Sequence, residues 1–534
     1  MEERIYEQRL KKLEKLKELG IHPYEYKFEK THSIKDILEK YPQKDEKEAG
    51  KVYGEKVKIA GRIMSLRIMG KSAFFHIQDE TGKIQCFLNI KDVGEDFYKN
   101  IFKKLIDIGD IVGVEGELFR TKTGELTIHV KNLKLLTKSL RPLPEKWHGL
   151  KDVEKRYRQR YLDLIVNPHV REIFKTRTKI IKAVRDFLDE KGFLEVETPV
   201  LQPIASGAAA KPFVTYYNAL DINVYLRIAP ELYLKRLIVG GFEKVYELGK
   251  NFRNEGIDTT HNPEFTMVEF YWAYADYNDL MKLTEEFFEY LLDKIKGKGV
   301  RKIKFKDMEI DFTPPFKKVT FLGALKDALK EEGIEVTEDE LLENENLLHE
   351  ICEKLKTKYK NLVKHETWDK AKLLKELFEN LVESKLINPT FVIDFPKELS
   401  PLAKTHRKDN RLVERFELFI AGKEIANAYS ELNDPLDQKE RFLEQLKAKQ
   451  KGEEEVVEYD EDFIRALEHG MPPTAGEGIG IDRLAMLLTD NDSIREVILF
   501  PQLKPKKDEV EEKIQEEGKE FIEKHKDEIE KGEL

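Results

Sequence analysis

Cysteine is scarce: Cys86 and Cys352 are the only two in 534 residues. They lie far apart, which excludes a disulfide framework and any closely spaced thiolate metal site and predicts a reducing, cytoplasmic setting. Long apolar runs are also missing. None approaches the ~20 residues that a membrane helix needs. The opening MEERIYEQRLKKLEK lacks the apolar stretch of a secretory signal. Neither membrane insertion nor export is therefore expected. What the chain has is 40% hydrophobic and 37% charged residues, enough for a sizeable core under a heavily charged surface. Its length predicts two or three domains. Abundant Glu and Lys with so little Cys suit a heat-loving source.

The net charge of −9 is uneven. Residues 51–160 hold 23 Lys/Arg against 14 Asp/Glu, a net of +9, so the remainder carries −18. One basic module in an acidic chain fits local binding of a polyanion. It equally fits a small β domain kept soluble by Lys and Arg.

Leu10, Leu13, Leu16 and Leu19 predict a helix that Gly20 ends, the start of a helical extension over 1–50. From about 55 the pattern turns to short strands: Val57, Ile59 and Ile63, then FFHI (74–77), IQCFLNI (84–90), IVGVEGELF (111–119) and LTIHV (126–130). Glycine turns at DETGK and KTGE separate some of them. Five strands interrupted by a helix near 96–106 predict an OB-type barrel over 51–140. RPLPEKW opens a linker, 141–160, because its prolines suit neither helix nor sheet. An α+β region follows over 161–503. It has a helix ending at Gly192, a strand FLEVETPVL (193–201), a helix over 276–296 and a helical insertion over about 321–387. Residues 504–534, with 12 acidic and 8 basic residues, read as a solvated helix or disordered tail.

Three blocks carry the chemistry. The helix and strand ending at Pro199 are unspecific. The run FRNEGIDTTHNPEFTMVEFYWAY (252–274) reads as strand, loop, strand. Residues 265, 267, 269 and 271 share one face of its second strand, presenting an aromatic ring, a carboxylate and a phenol together. GEGIGIDRLAMLL (476–488) places Gly476, Gly478 and Gly480 where the backbone is free to approach a ligand, then Arg483 at the start of an apolar helix. A phosphate-binding P-loop would need a Lys that is absent there.

In this order the blocks resemble motifs 1, 2 and 3 of the class II aminoacyl-tRNA synthetases. RIMGK (67–71), KTGELTIH (122–129), YRQRYLDLI (157–165), RIAPELYLKRL (227–237), SPLAK (400–404) and SELNDP (430–435) resemble the lysyl branch over nearly the whole chain. The resemblance implies a multidomain protein: an N-terminal OB-type β-barrel that reads the anticodon, and an α+β class II catalytic domain on an antiparallel sheet. It implies a homodimer through residues 172–201. It also implies a Mg²⁺-dependent ligase that activates L-lysine with ATP and passes it to the 3′-OH of lysine tRNA.

The same resemblance implies the site. Arg253 would bridge the lysine carboxylate and the α-phosphate, and Arg483 would hold the γ-phosphate. Phe265 would stack on adenine, with Arg483 on its other face. Glu255 and Asn262 would meet the adenine edge and His261 the phosphates. Glu269 and Glu431, with Tyr271, would receive the ε-ammonium. Glu231 and the region of Gly207 would take the α-amino group, Asn427 would help with the carboxylate, and Tyr429 would pack on the aliphatic stem. Glu417 and Glu424 would hold Mg²⁺, provided that Gly422 turns the chain between them. Phe74 would stack on an anticodon base, with Arg67 and Gln85 reading base edges. Phe74 is otherwise barrel core, but Phe75 alternates with it, so one of the two faces outward. The chain departs from the family's usual Gly and Phe at Ala426, Ala428 and Tyr429. The competing readings are an aspartyl- or asparaginyl-type synthetase, of which the aspartate-specific form would need a cation where Glu269 and Glu431 point, and a non-catalytic RNA-binding paralogue, which would not need Arg253, Glu417, Glu424 and Arg483.

Overall fold

The computed structural model describes residues 2–144, 150–450, 457–505 and 519. The chain falls into two compact units, Met1–Lys151 and Asp152–Leu534. In the first, strands β1 (Val52–Met69), β2 (Ser72–Gln78), β3 (Lys83–Asn89), β4 (Ile111–Arg120) and β5 (Leu126–Thr137) close a barrel in the order β1-β2-β3-β5-β4. Strict alternation decides which side chains fill it: Ala73, Phe75 and Ile77 of β2 and Ile84, Cys86 and Leu88 of β3 are buried, and their neighbours face outward. Helical turns over 90–105 join β3 to β4. The first fifty residues are not a separate extension. Helices Glu2–Glu18 and Ile34–Lys40 add Leu16, Ile34 and Ile37 to the barrel core. Arg9, buried, ties the first helix down by donating to the Ile108 and Ser139 carbonyls at 2.8 and 3.0 Å.

The expected linker is folded over its second half. Helices Val153–Arg158 and Arg160–Val166 open the second unit. Arg160 is fully buried, pairs with Asp163 at 2.7 Å and donates to the carbonyls of Arg495 and Leu499. Residues 145–147 of RPLPEKW, and nearly all of the charged tail, lie outside the described residues.

The second unit is built on an eight-stranded sheet in the order β14-β15-β16-β17-β18-β11-β10-β6. Its strands are β6 (Leu194–Glu195), β10 (Lys244–Phe252), β11 (Glu264–Ala273), β14 (Lys317–Thr320), β15 (Thr390–Pro396), β16 (Leu412–Ile420), β17 (Lys423–Ser430) and β18 (Thr474–Gly480). The expected antiparallel sheet holds for the six central strands, whereas β6 and β14 add parallel pairs at the two edges. Strands β7 (Leu201–Gln202), β8 (Val214–Tyr217) and β9 (Ile222–Leu226) form a separate small sheet, and β12 (Lys302–Phe305) and β13 (Met308–Asp311) a hairpin. FLEVETPVL is therefore not one strand but parts of two sheets. Between them the Thr198 amide and hydroxyl donate to the Glu247 carboxylate, and Pro199 has no N–H to offer a ladder.

One face of the large sheet is covered by helices His169–Glu190, Tyr277–Ile295 and Ile481–Leu488. Val268, Phe270, Phe416, Leu418, Ala475 and Ile479 are buried in this core. Glu477 of β18 points into it and meets the Thr284 hydroxyl at 2.8 Å. Burial pushes its carboxyl up to about 8, so it enters the core as a neutral acid. The helical insertion folds between β14 and β15 with its own core, including Leu325, Leu348, Leu377 and Phe378. Among the described residues no helix is long and apolar enough to cross a membrane.

Candidate active site

The open face of the sheet carries two adjacent cross-strand rows. In one, Glu417, Asn427, Gly478, Glu269 and Glu247 stand opposite one another across β16, β17, β18, β11 and β10. In the next, Arg415, Tyr429, Gly476, Tyr271 and Val245 do the same. Side chains opposed in this way are neighbours. Both rows have glycine at the centre. A Cβ on Gly476 would sit 2.3 Å from Glu431 Oε1 and 2.4 Å from Tyr271 Cε1, and one on Gly478 2.9 Å from Met267 Cε. Gly476 thus makes room for the protein's own acid and phenol, a use more specific than the general close approach expected of the three glycines.

Around Gly476 three carboxylates are buried together: Glu231, Glu269 and Glu431. Tyr271 donates to Glu269 at 2.6 Å, and Tyr429 donates to Glu231 at 2.6 Å. That bond gives the hydroxyl of the unusual Tyr429 a partner. Gly207, at a φ of +95°, lets its loop pass Glu231, whose Cβ lies 3.2 Å from where a Cβ on Gly207 would be. A residue to which sequence reading gave no role completes the cluster. Lys235, one helical turn after Glu231, is fully buried and bridges Glu231 Oε1 at 2.6 Å and Glu431 Oε2 at 2.5 Å. Glu431 therefore already faces a resident cation, while Glu269 has only the phenol. Burial, and then Glu231 beside it, push the Glu269 carboxyl up to about 8. Burial likewise raises Glu431 well above the usual range, with Lys235 opposing.

Arg253 follows β10, its amide held by the Pro263 carbonyl at 2.8 Å. Its guanidinium lies over the Phe265 ring, 5.1 Å from the centroid. Arg253 Nε is buried without a hydrogen-bond partner among the described residues. Burial pulls this guanidinium down from its ordinary range, against the acids Glu255, Glu424 and Glu269 around it. It is a buried cation held beside acids and ready for an anion. Arg483, in the first turn of Ile481–Leu488, donates to the Glu424 carbonyl at 2.6 Å and lies 3.5 Å from its carboxylate. Glu255 and His261 are exposed in the loop between β10 and β11, where His261 Nδ1 lies 2.8 Å from Asp258. Asn262 is buried and spends its amide internally, donating to the Glu264 carbonyl at 2.6 Å and accepting from the Gln502 amide at 3.1 Å.

The turn required between Glu417 and Glu424 is present: Ala421 and Gly422 both take positive φ, and a register shift follows Leu418. Burial pushes Glu417 up to about 7, with Arg415 opposing and Glu424 adding to the rise. Arg415 was missed by sequence reading; it donates to Glu417 at 2.5 Å and to Asn427 at 3.0 Å. Glu383 of the insertion was missed too. Burial, then Glu379, Glu417 and Glu424, push it up to about 8. The insertion is fastened to the turn, because the Ala421 and Gly422 amides donate to the Ile387 and Leu386 carbonyls at 2.8 and 2.9 Å. Carboxylate oxygens on either side of one turn are hard donors of the kind that fit a divalent cation such as Mg²⁺.

On the barrel, Arg67, Phe74, Phe87 and His129 form one outward row across β1, β2, β3 and β5. Phe74 and Phe87 are 4.9 Å apart and Phe87 and His129 5.5 Å. Phe75 is the core residue of the pair. Gln85, one row over, is held by Glu125 and Thr127 at 3.0 and 2.9 Å.

A family model described as tRNA synthetases class II (D, K and N) matches residues 152–504, and one described as an OB-fold nucleic acid binding domain matches 57–136. The chain belongs to the class II tRNA synthetases of the D, K and N group. The lysine–tRNA ligase of Aquifex aeolicus (strain VF5) is 63% identical over 451 residues, 84% of this chain and 73% of that protein. The lysine–tRNA ligase of Thermotoga maritima is 54% identical over 508 residues, 95% of this chain and 97% of that protein. Within the class, the chain is a member of the lysine–tRNA ligase family.

Gly476→Ala is expected to lower kcat/KM for the amino acid by about tenfold to a hundredfold, the effect of roughly 1–3 kcal/mol of overpacking against Glu431 and Tyr271. The KM for ATP should stay near the parent value. Amino-acid-dependent ATP–pyrophosphate exchange measures both.

Proposed function

We propose that this protein activates L-lysine with ATP and transfers it to the 3′-OH of the terminal adenosine of lysine tRNA. One observation carries the choice of amino acid: three buried carboxylates share the pocket with a single resident ammonium. An aspartate pocket would need the reverse. The lysine α-carboxylate is already ionised at pH 7, so no general base is required. It attacks the α-phosphorus and pyrophosphate departs. The barrier lies in bringing an anion to a polyanion, which is work for preorganised cations. Arg253, unpartnered at Nε, bridges the two anions, and Arg483 takes the γ-phosphate. Phe265 stacks on adenine, with Arg483 on its other face, Glu255 and Asn262 near the base and His261 near the phosphates. Glu269 and Tyr271 take the ε-ammonium with Glu431. Glu231 and the Gly207 loop take the α-amino group, Asn427 steadies the carboxylate and Tyr429 flanks the stem. Glu417 and Glu424 would hold Mg²⁺, which when bound offsets phosphate charge.

The outward row of Phe74, Phe87 and His129 beside Arg67 supports anticodon binding by the barrel, with Gln85 at a base edge. Exposed Leu194, Leu201, Val214, Tyr217 and Ile222, around β6 and the small sheet, support a homodimer that covers them.

Exchange assayed with each of the twenty amino acids tests the reading, and activity with aspartate or asparagine instead of lysine would overturn it. Glu269→Gln should lower kcat/KM for lysine by about 10²–10⁴-fold, since it strips the charge from a buried pair. The pH dependence has a definite sign. Glu269 is protonated below about 8 in the free enzyme and must ionise to meet an ammonium. Hence kcat/KM for lysine should rise with pH toward that value, and the Gln variant should lose that rise. Phe74→Ala should weaken lysine-tRNA binding by roughly 1–3 kcal/mol per unstacked base and leave exchange unchanged, as filter binding beside the exchange assay would report. Leu201→Asp should convert the parent dimer to monomer in sedimentation; a parent that sediments as a monomer refutes the interface.

A further inference from the structure

Lys235 lies within RIAPELYLKRL, where sequence reading gave it no role, and it is the most completely buried cation of the pocket. Its side chain is 0% exposed, as is that of Glu431 beside it. Its ammonium bridges Glu231 and Glu431 at 2.6 and 2.5 Å. The Tyr429 ring, 5.5 Å away, and the Phe463 ring, 5.9 Å away, flank it. Around the pocket stand Glu269, with Tyr271 on it, and, toward the nucleotide side, Arg253. With all three acids ionised, Glu231, Glu269 and Glu431 against Lys235 leave two negative charges. A free lysine brings two ammonium groups, and its carboxylate is matched by Arg253.

Resting on the reading that lysine is the amino acid bound, we propose that Lys235 is a positioning residue for specificity, a built-in ammonium that fixes Glu231 and Glu431 in place and sets the pocket at two unmatched negative charges. Three carboxylates packed without a cation would repel one another and hold protons instead. A protonated pocket must shed those protons before it accepts an ammonium. The raised Glu269 carboxyl shows how close the pocket already stands to that limit. The same helix carries its partner Glu231 inward one turn earlier, and Leu232, Leu234 and Ile238 are buried around the pair.

The test follows kcat/KM for lysine in ATP–pyrophosphate exchange at roughly pH 6.5, 7.5 and 8.5, each variant taken as a ratio to the parent at the same pH, so that titration of the substrate's own α-ammonium cancels. Parent, Lys235→Met and Lys235→Arg are compared. Lys235→Met is expected to lose about a hundredfold or more at the lowest pH, the scale for leaving buried charges uncompensated. It should recover much of that at the highest pH, so its rising limb moves up by roughly one pH unit or more. The KM for ATP should change little. Lys235→Arg keeps the charge in another shape; whatever its affinity, its limb should stay where the parent's is. A loss in Lys235→Met that is equal at all three pH values, a limb in Lys235→Arg displaced like that of Lys235→Met, or a parent-like Lys235→Met overturns the proposal. If Lys235→Met does not fold, as judged by circular dichroism, the limb of Lys235→Arg decides alone. A parent inactive with lysine would instead overturn the choice of substrate, separately from any effect of Lys235.

Discussion

The missing Cβ atoms on β18 are the constraint on which the site depends. Antiparallel pairing sets Tyr429 and Tyr271 on either side of Gly476, and Asn427 and Glu269 on either side of Gly478. A residue with a side chain at 476 would occupy the space in which the Glu431 carboxylate and the Tyr271 ring meet. The next residues of the same strand face the other way. Ala475 and Glu477 enter the helical core, and alternation lets a single seven-residue strand floor a polar pocket and seal an apolar core at once. The core fixes the register, because a slip by one residue would exchange the two faces.

On that floor the charges are sorted. Near Gly476 acids outnumber cations, with Lys235 alone among Glu231, Glu269 and Glu431. Toward the β16–β17 turn, Arg415 and Arg483 are interleaved with Glu417 and Glu424. Groups buried this way lose hydration that internal pairing only partly restores. The raised carboxyls of Glu269 and Glu417 and the lowered Arg253 record that imbalance. In the proposed reaction each would be eased by a ligand of opposite sign: an ammonium for Glu269, an anion for Arg253, a divalent cation for Glu417. Three separate imbalances would then meet three separate parts of one reaction.

Much of this was legible before any coordinates. The run 252–274 contains a strand, a loop and a strand, and period-two alternation alone places Phe265, Glu269 and Tyr271 on one face. The same alternation in FFHI says that one of Phe74 and Phe75 faces outward, and the structure makes it Phe74. Applied to IQCFLNI it would have found Phe87, which the structure sets against Phe74. Other features had no local signal. Lys235 sits four residues after Glu231, a spacing that on a helix usually marks an exposed ion pair. Only the packing of β10, β11 and helix Glu461–Glu468 against that helix turns it inward. Arg415 and Glu383 act across elements distant in sequence, and FLEVETPVL divides because Glu247, some fifty residues on, captures Thr198. The linker was misjudged for a related reason: Arg160 gains its partners from residues 495–499, at the far end of the unit.

The helical insertion packs on the sheet through a core that it shares with Val392 of β15 and Val413 and Phe419 of β16. Those apolar contacts alone would leave it beside the sheet with no bearing on chemistry. Instead, the backbone amides of Ala421 and Gly422 are committed to the carbonyls of Ile387 and Leu386, and Gly422 lies so close to Ser384 that a Cβ there would meet the Ser384 Cα at 3.2 Å. Those two amides belong to the turn that brings Glu424 back toward Glu417. The turn needs positive φ at both residues, a conformation that Ala421 adopts only under constraint. The insertion supplies the constraint. Its placement also brings Glu383 within electrostatic reach of Glu417 and Glu424, so the segment that holds the turn adds a further carboxyl beside those of the turn.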